Sequence, residues 1–343
     1  MDARERVEAA LRLEEPDLVP IHPHISRWTA KLIGVTVREY YRSPELMVRG
    51  QKAAYELLGH EIVYIGSNLT AEAEALGCQI EYPEWDAPKV RQPILSSLEK
   101  LDDVRVPEPS SSPPLRVVLE ALRIAEGEFK PKHLMVCGDV CGPFTLAGYL
   151  RGVNTLMIEV LRKPENVEAV LKLATETILA YLEEQVKAGT DLILMNDPLA
   201  SGDMISPKHY ERLVVPYQKT IVQHAKKLGC HPMLHICGNT ADRLDLMAST
   251  GVEAISIEAK VDLAYAKEKV GRKVCIAGNV DPINVLMNGS PETVREETRR
   301  AIEKASKGGG FILMPGCGVP YGAPKENLKA MVEAARKYGV YKR

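Results

Sequence analysis

The chain has 343 residues, 45% of them hydrophobic, which is enough for a large core and for one α/β barrel. Its 44 basic and 46 acidic residues give a formal net charge of −2, and only 5% of residues are aromatic, so composition gives no reason to expect a nucleic-acid partner or a stacking platform for single strands. No apolar run is long enough to span a membrane, and the charged N-terminus lacks a signal-peptide core, so we expect a cytoplasmic protein with reduced cysteines.

Helical and strand-like segments alternate along most of the chain. The spacing of apolar residues predicts a helix over 2–13, a strand over 18–24, a helix over 45–58 and a short strand over 61–65. An irregular, proline-rich insertion follows at about 66–112, with a hairpin around EYPEWDAPKV. Further strands are expected at 133–137, 191–195, 232–236, 254–257, 274–277 and 311–314. Helices are expected at 113–126, 164–188, 206–228, 239–249, 262–270, 291–307 and 324–339. Eight strand candidates separated by amphipathic helices indicate a parallel sheet closed as a (β/α)₈ TIM barrel, a single domain over 1–343. An open doubly wound sheet is the competitor, but no GxGxxG follows the first strand.

In such a barrel the active site lies at the C-terminal ends of the strands. The polar residues placed there are His22 and His24, then Cys137, Asp139 and Cys141, then Asn196 and Asp197, His235 and Cys237, Glu258, Asn279 and Asp281, and Cys317. His235 and Cys237 stand two apart on one strand, so both can face one ion, and imidazole with thiolate favours Zn²⁺. Cys317, between Gly316 and Gly318, is the third ligand candidate. Glu258, on the next strand, is placed to fill a fourth position and to be displaced by a substrate thiol. The competing reading is a buried histidine beside inert core cysteines, and that reading is favoured for Cys137 and Cys141.

The segments LHICGNT, GVEAISIE, AGNVDP and MPGCGVPYGAPKENLKAMVEAARKYG resemble the methylcobamide:coenzyme M methyltransferases, a branch of the uroporphyrinogen decarboxylase superfamily. The resemblance implies a (β/α)₈ barrel with Zn²⁺ held by His235, Cys237 and Cys317, Glu258 as the displaceable carboxylate, and Asp197 as the superfamily aspartate in the catalytic site. It implies methyl transfer from a methylcorrinoid, carried by a corrinoid protein, to a small thiol such as coenzyme M. Two departures speak against porphyrinogen decarboxylation: Arg27 stands alone where an arginine-rich stretch is usual, and Gly316-Cys317-Gly318 replaces a G-H-G loop. Two rivals share the ligand set. One is a demethylating enzyme that loads the corrinoid, and the other is a zinc-binding scaffold without catalysis. The segment from about Asn68 to Pro114 is expected either to help dock the corrinoid protein or to plug the N-terminal end of the barrel.

Overall fold

The strand candidates are almost uninterrupted apolar runs, as expected of strands covered on both faces. In the computed structural model, which describes residues 1–67 and 69–341, nine strands form. They are β1 Ile62–Tyr64, β2 Gln79–Glu81, β3 Lys89–Gln92, β4 Met135–Cys141, β5 Leu192–Asn196, β6 His231–His235, β7 Ala254–Ser256, β8 Cys275–Val280 and β9 Phe311–Pro315. Seven of them make one parallel sheet in the order β1-β4-β5-β6-β7-β8-β9, and β2 pairs antiparallel with β3.

Alternation along the strands divides the core in two. Tyr64, Met135, Cys137, Leu192, Leu194, Met233 and Met314 fill the inner face of the curled sheet. Val63, Val136, Ile193, Leu234 and Ile255 pack outward against the helices. The helix Ala3–Leu11 adds Val7, Ala10 and Leu11 to the inner cluster, and its Arg4 pairs with Asp191 at the start of β5 at 2.5 Å. It therefore covers the N-terminal end, and the opposite end is left to the loops that follow the strands.

The expected strand over 18–24 is absent as a strand, although its residues bridge both edges of the sheet. His22 N donates to Leu313 O and Leu313 N to Pro20 O, both at 2.9 Å, while Glu61 N donates to Ile21 O at 3.3 Å. Pro20 and Pro23 have no N–H to give to a ladder, and His24 turns out of the extended region with φ of 45°. Glu61 secures the junction. Its carboxylate, 1% exposed, accepts Ile21 N at 2.9 Å and Arg336 Nη1 at 2.6 Å, with Arg6 Nη1 at 3.5 Å.

The insertion at 66–112 is more regular than expected. It holds the helix Ala71–Ala75, the hairpin of β2 and β3, and the 3₁₀ turn Leu98–Asp103. It leaves the C-terminal end of β1, and its hairpin is held by Val37 N donating to Glu84 O at 2.9 Å and Arg38 Nε donating to Tyr82 O at 2.8 Å. The hairpin thus sits on the rim formed by the strand C-termini, not beneath the sheet; Asn68, where the proposed docking segment begins, lies outside the described residues. Four α-helices outside the insertion are also not expected from the sequence: Arg27–Leu32, Val37–Tyr40, Pro143–Arg151 and Val153–Arg162.

Glu61→Ala would strip a buried carboxylate from two guanidiniums and one backbone N–H. Such losses cost roughly 3–5 kcal/mol. Equilibrium denaturation of the variant is expected to show a loss in this range, and a change within experimental error would assign the junction to backbone pairing alone.

Candidate metal centre

Register places the key residues before any ligand is considered. Asn196, His235 and Ser256 lie side by side on β5, β6 and β7. His235 Nδ1 is 3.0 Å from Ser256 Oγ, and that hydroxyl contacts Met314 Sδ at 3.6 Å. In the tautomer with the proton on Nδ1, the serine accepts that proton and directs its own toward sulfur, which leaves the Nε2 lone pair free. Nε2 faces Cys237 Sγ at 3.1 Å, and Cys237 Sγ faces Cys317 Sγ at 3.8 Å. One ligand atom from each of His235, Cys237 and Cys317 lies within 4.8 Å of the others.

The turn after Cys237 depends on Gly238. Its φ is +74°, and a Cβ there would stand 2.4 Å from Asp203 Oδ2.

Cys237 and Cys317 are the only cysteines among the described residues that are not fully buried; Cys78, Cys137, Cys141, Cys230 and Cys275 are enclosed. Burial pushes the Cys137 and Cys141 thiols well above their ordinary range, as for inert core thiols. At the site the direction splits. A hydrogen bond from Cys237 draws Cys317 well below the thiol range, and the same contact, with burial and nearby Glu258, pushes Cys237 well above it. Loss of a first proton from the pair would thus leave one S–H held between the two sulfurs. A divalent cation in place of that proton would hold both as thiolates, and two thiolates with one imidazole suit tetrahedral Zn²⁺.

The other expected site residues divide. Glu258 lies outside the trio, partly exposed, with its carboxylate close enough to Cys237 to raise the thiol. His24 lines a cavity with His235, Cys237 and Cys317, and its ring centroid is 6.1 Å from that of His235. His22 is fully enclosed, and burial lowers its pKa to about 3. Asn279 Nδ2 donates to the carbonyls of Glu258 and Val261, and Asp281 caps the turn Pro282–Met287, so both tie down loops beside the trio. Cys137, Asp139 and Cys141 do not follow their strand; they lie within β4.

Asp197 is drawn into packing. Its carboxylate, fully buried, accepts Thr145 N and Thr145 Oγ1, each at 2.8 Å, and Gln218 Nε2 at 2.9 Å. Burial raises its pKa and these donors oppose the shift. The neighbours on either side, Asn196 and Pro198, line the cavity instead. Two residues that the sequence did not point to belong here: Ser256, which orients His235, and Tyr64, which forms a wall of the cavity of about 120 Å³ that the trio also lines.

The sequence profile of the uroporphyrinogen decarboxylase (URO-D) family matches residues 2–338. The chain is 32% identical over 339 residues to a methylcobamide:CoM methyltransferase, MtbA, of Methanosarcina acetivorans, covering 98% of both chains. It is 32% identical to a second such enzyme, MtaA of Methanosarcina barkeri, covering 97% of both. Among solved structures, a methyltransferase from Methanosarcina mazei superposes with a TM-score of 0.90 at 31% identity, over 98% of this chain and 99% of that one.

The bonding of Asp197 generates a test. Asp197→Asn places an amide donor against other donors, a loss of about 1–3 kcal/mol for a buried mismatch. Denaturation should show that loss while the metal content of the folded protein is unchanged. Metal lost from a fully stable variant would place Asp197 in the site itself.

Proposed function

The chain belongs to the uroporphyrinogen decarboxylase family, and on that footing we propose that it moves a methyl group from a methylated corrinoid, carried by a partner protein, to a small thiol such as coenzyme M, with Zn²⁺ held by His235, Cys237 and Cys317. The observation that carries the reading is the convergence of one imidazole nitrogen and two sulfurs within 4.8 Å in a full-length relative of methylcobamide:CoM methyltransferases.

Zn²⁺ bound there would keep a substrate thiol deprotonated near neutral pH, where a free thiol of pKa about 8.5 is mostly protonated. The protein's own groups then do the rest. Thiolates from Cys237 and Cys317 with neutral His235 offset the ionic charge fully, so an added substrate thiolate stays electron-rich. Ser256 holds the imidazole in the tautomer that presents Nε2. The small cavity would hold the sulfur in position for in-line attack on the methyl carbon. The carbon–cobalt bond breaks with its electron pair remaining on the corrinoid. Glu258 is read as the resting fourth ligand, displaced when the thiol arrives, and its closeness to Cys237 supports this.

We read the sheet as a closed (β/α)₈ barrel of one domain, supported by the bonds of Pro20, Ile21 and His22 to both sheet edges. The corrinoid protein is read as docking on the C-terminal rim. There the hairpin tip carries Trp85, 54% exposed, against the ring of Tyr321 in the loop that also holds Cys317. No helix among the described residues is long and apolar enough to cross a membrane. A cytoplasmic location is supported by seven free cysteines.

Purified protein is expected to carry about one zinc per chain. Cys237→Ala and Cys317→Ala should each lose most of it while remaining folded by circular dichroism. Wild type incubated with methylcobalamin and coenzyme M should form the methylated thiol, and both variants should lose most of this activity with the metal. Zinc-free wild type that cannot be reconstituted would overturn the metal assignment. Activity toward methylated donors alone would point to the corrinoid-loading direction, and zinc without any transfer to the scaffold reading.

A further inference from the structure

Behind one residue of the cavity wall, Tyr64, lies a buried acidic pair that the chemistry above does not use. Tyr64, at the end of β1, lines the cavity, and its Oη donates to Asp139 Oδ2 at 2.8 Å. Ser67 N donates to the other oxygen, Oδ1, at 3.0 Å. The approach is close because residue 66 is glycine; a Cβ there would lie 2.5 Å from Tyr64 Oη and 2.7 Å from Asp139 Cγ. Glu72 stands next to this pair. Its Oε1 accepts Cys141 N at 2.7 Å, and Oε2 has no partner.

Asp139 and Glu72 are both fully buried, and neither is in a salt bridge among the described residues. Burying carboxylates without a cation is costly, and proteins keep such groups mainly where a proton must be held or moved. His24 and His22 face Tyr64, with ring centroids 5.1 and 6.1 Å away, and burial lowers both so that they are neutral. The other titratable groups facing the carboxylates are Cys137 and Cys141 on β4, Tyr149 on the helix Pro143–Arg151, Tyr181 on the helix Pro164–Lys187, and Tyr41. Burial raises all five, so all are neutral at pH 7. Burial raises Asp139 to about 6, and burial with repulsion from Asp139 raises Glu72 to about 7. Asp139 accepts a donor on each of its oxygens, as an ionised carboxylate does, whereas Glu72 Oε2 has none, so Asp139 is read as the ionised member, with a phenol between it and the cavity.

We propose that Asp139, acting through the Tyr64 hydroxyl, accepts the proton that the acceptor thiol loses on entering the site; this rests on the thiol-methylation reading above. The S–H bond breaks with its electron pair staying on sulfur. The proton passes to Tyr64 Oη, directly or through cavity water, as Tyr64 passes its own proton to Asp139 Oδ2. One negative charge leaves the carboxylate and one appears on sulfur, so the enclosed region gains no net charge. The proton is released to solvent after the methylated thiol departs.

The test is infrared difference spectroscopy on zinc-loaded protein at pH 7, with and without saturating 2-mercaptoethanesulfonate. Thiol binding should produce the carbonyl-stretch band of a protonated carboxylic acid. In wild type with ¹³C-labelled aspartate carboxyls that band should shift, a result that needs no variant to fold. Asp139→Asn should abolish it. Tyr64→Phe should slow thiol methylation from methylcobalamin by about a hundredfold at pH 7, as for loss of a proton acceptor, with the deficit shrinking at higher pH where the thiol ionises unaided. Methylated thiol forming with no such band, or with a band unmoved by aspartate labelling, overturns this assignment and leaves the methyl-transfer reading standing. A labelled band growing while no thiol is methylated supports the assignment and overturns that reading.

Discussion

The site depends on one approach, that of the Cys317 sulfur to the Cys237 sulfur at 3.8 Å, because everything else near it follows from strand register. His235 and Cys237 leave the same strand, so their proximity is local. Cys317 comes from the loop after β9, three strands further along the sheet. Only the curl of the sheet brings it back across the rim. Two thiols held this close resist losing both protons, since a second thiolate without a counter-charge would be repelled by the first. The fold thus builds a place where positive charge is missing, and Ser256 turns an imidazole lone pair toward it.

A second polar arrangement occupies the same interior wall, and it follows the opposite electrostatic rule. Tyr64, Asp139 and Glu72 gather negative charge and a proton with no cation, while the sulfur site calls for one. Both are set by the same pair of constraints. Inward positions on parallel strands alternate with outward ones, and the loops at the C-terminal end are the only backbone left free to close over them. The two arrangements therefore face one small cavity without either having been placed for the other by chain proximity.

Much of this was legible in the sequence, and the reasons for the exceptions are physical. The apolar runs of β5, β6 and β9 and the spacing of His235 and Cys237 report directly on local geometry, so strands and ligand pair were readable together. Residues 18–24 looked like a strand by composition, but two prolines cannot complete a ladder. The helix Pro143–Arg151 is buried on most of its surface, and it carries no polar stripe to mark a helical period. Ser256 and Tyr64 act across strands, and a partner fixed by inter-strand register is invisible to reasoning along one chain. Asp197 stood at a strand end like the site residues beside it, yet its side chain turns away to tie the start of a helix to Gln218. Strand-end position locates the rim but not which way each side chain points.

The central claim is that His235, Cys237 and Cys317 hold a zinc whose remaining position opens to a substrate thiol. X-ray absorption at the zinc edge reads this directly, since sulfur and oxygen neighbours scatter differently at distances of about 2.3 Å and about 2.0–2.2 Å. Resting protein should show two sulfur and two lighter scatterers, one of them lost in Glu258→Gln. With saturating coenzyme M the shell should become three sulfurs and one nitrogen. A coordination shell that is unchanged by the thiol, or one lacking the two cysteine sulfurs at rest, would contradict the account.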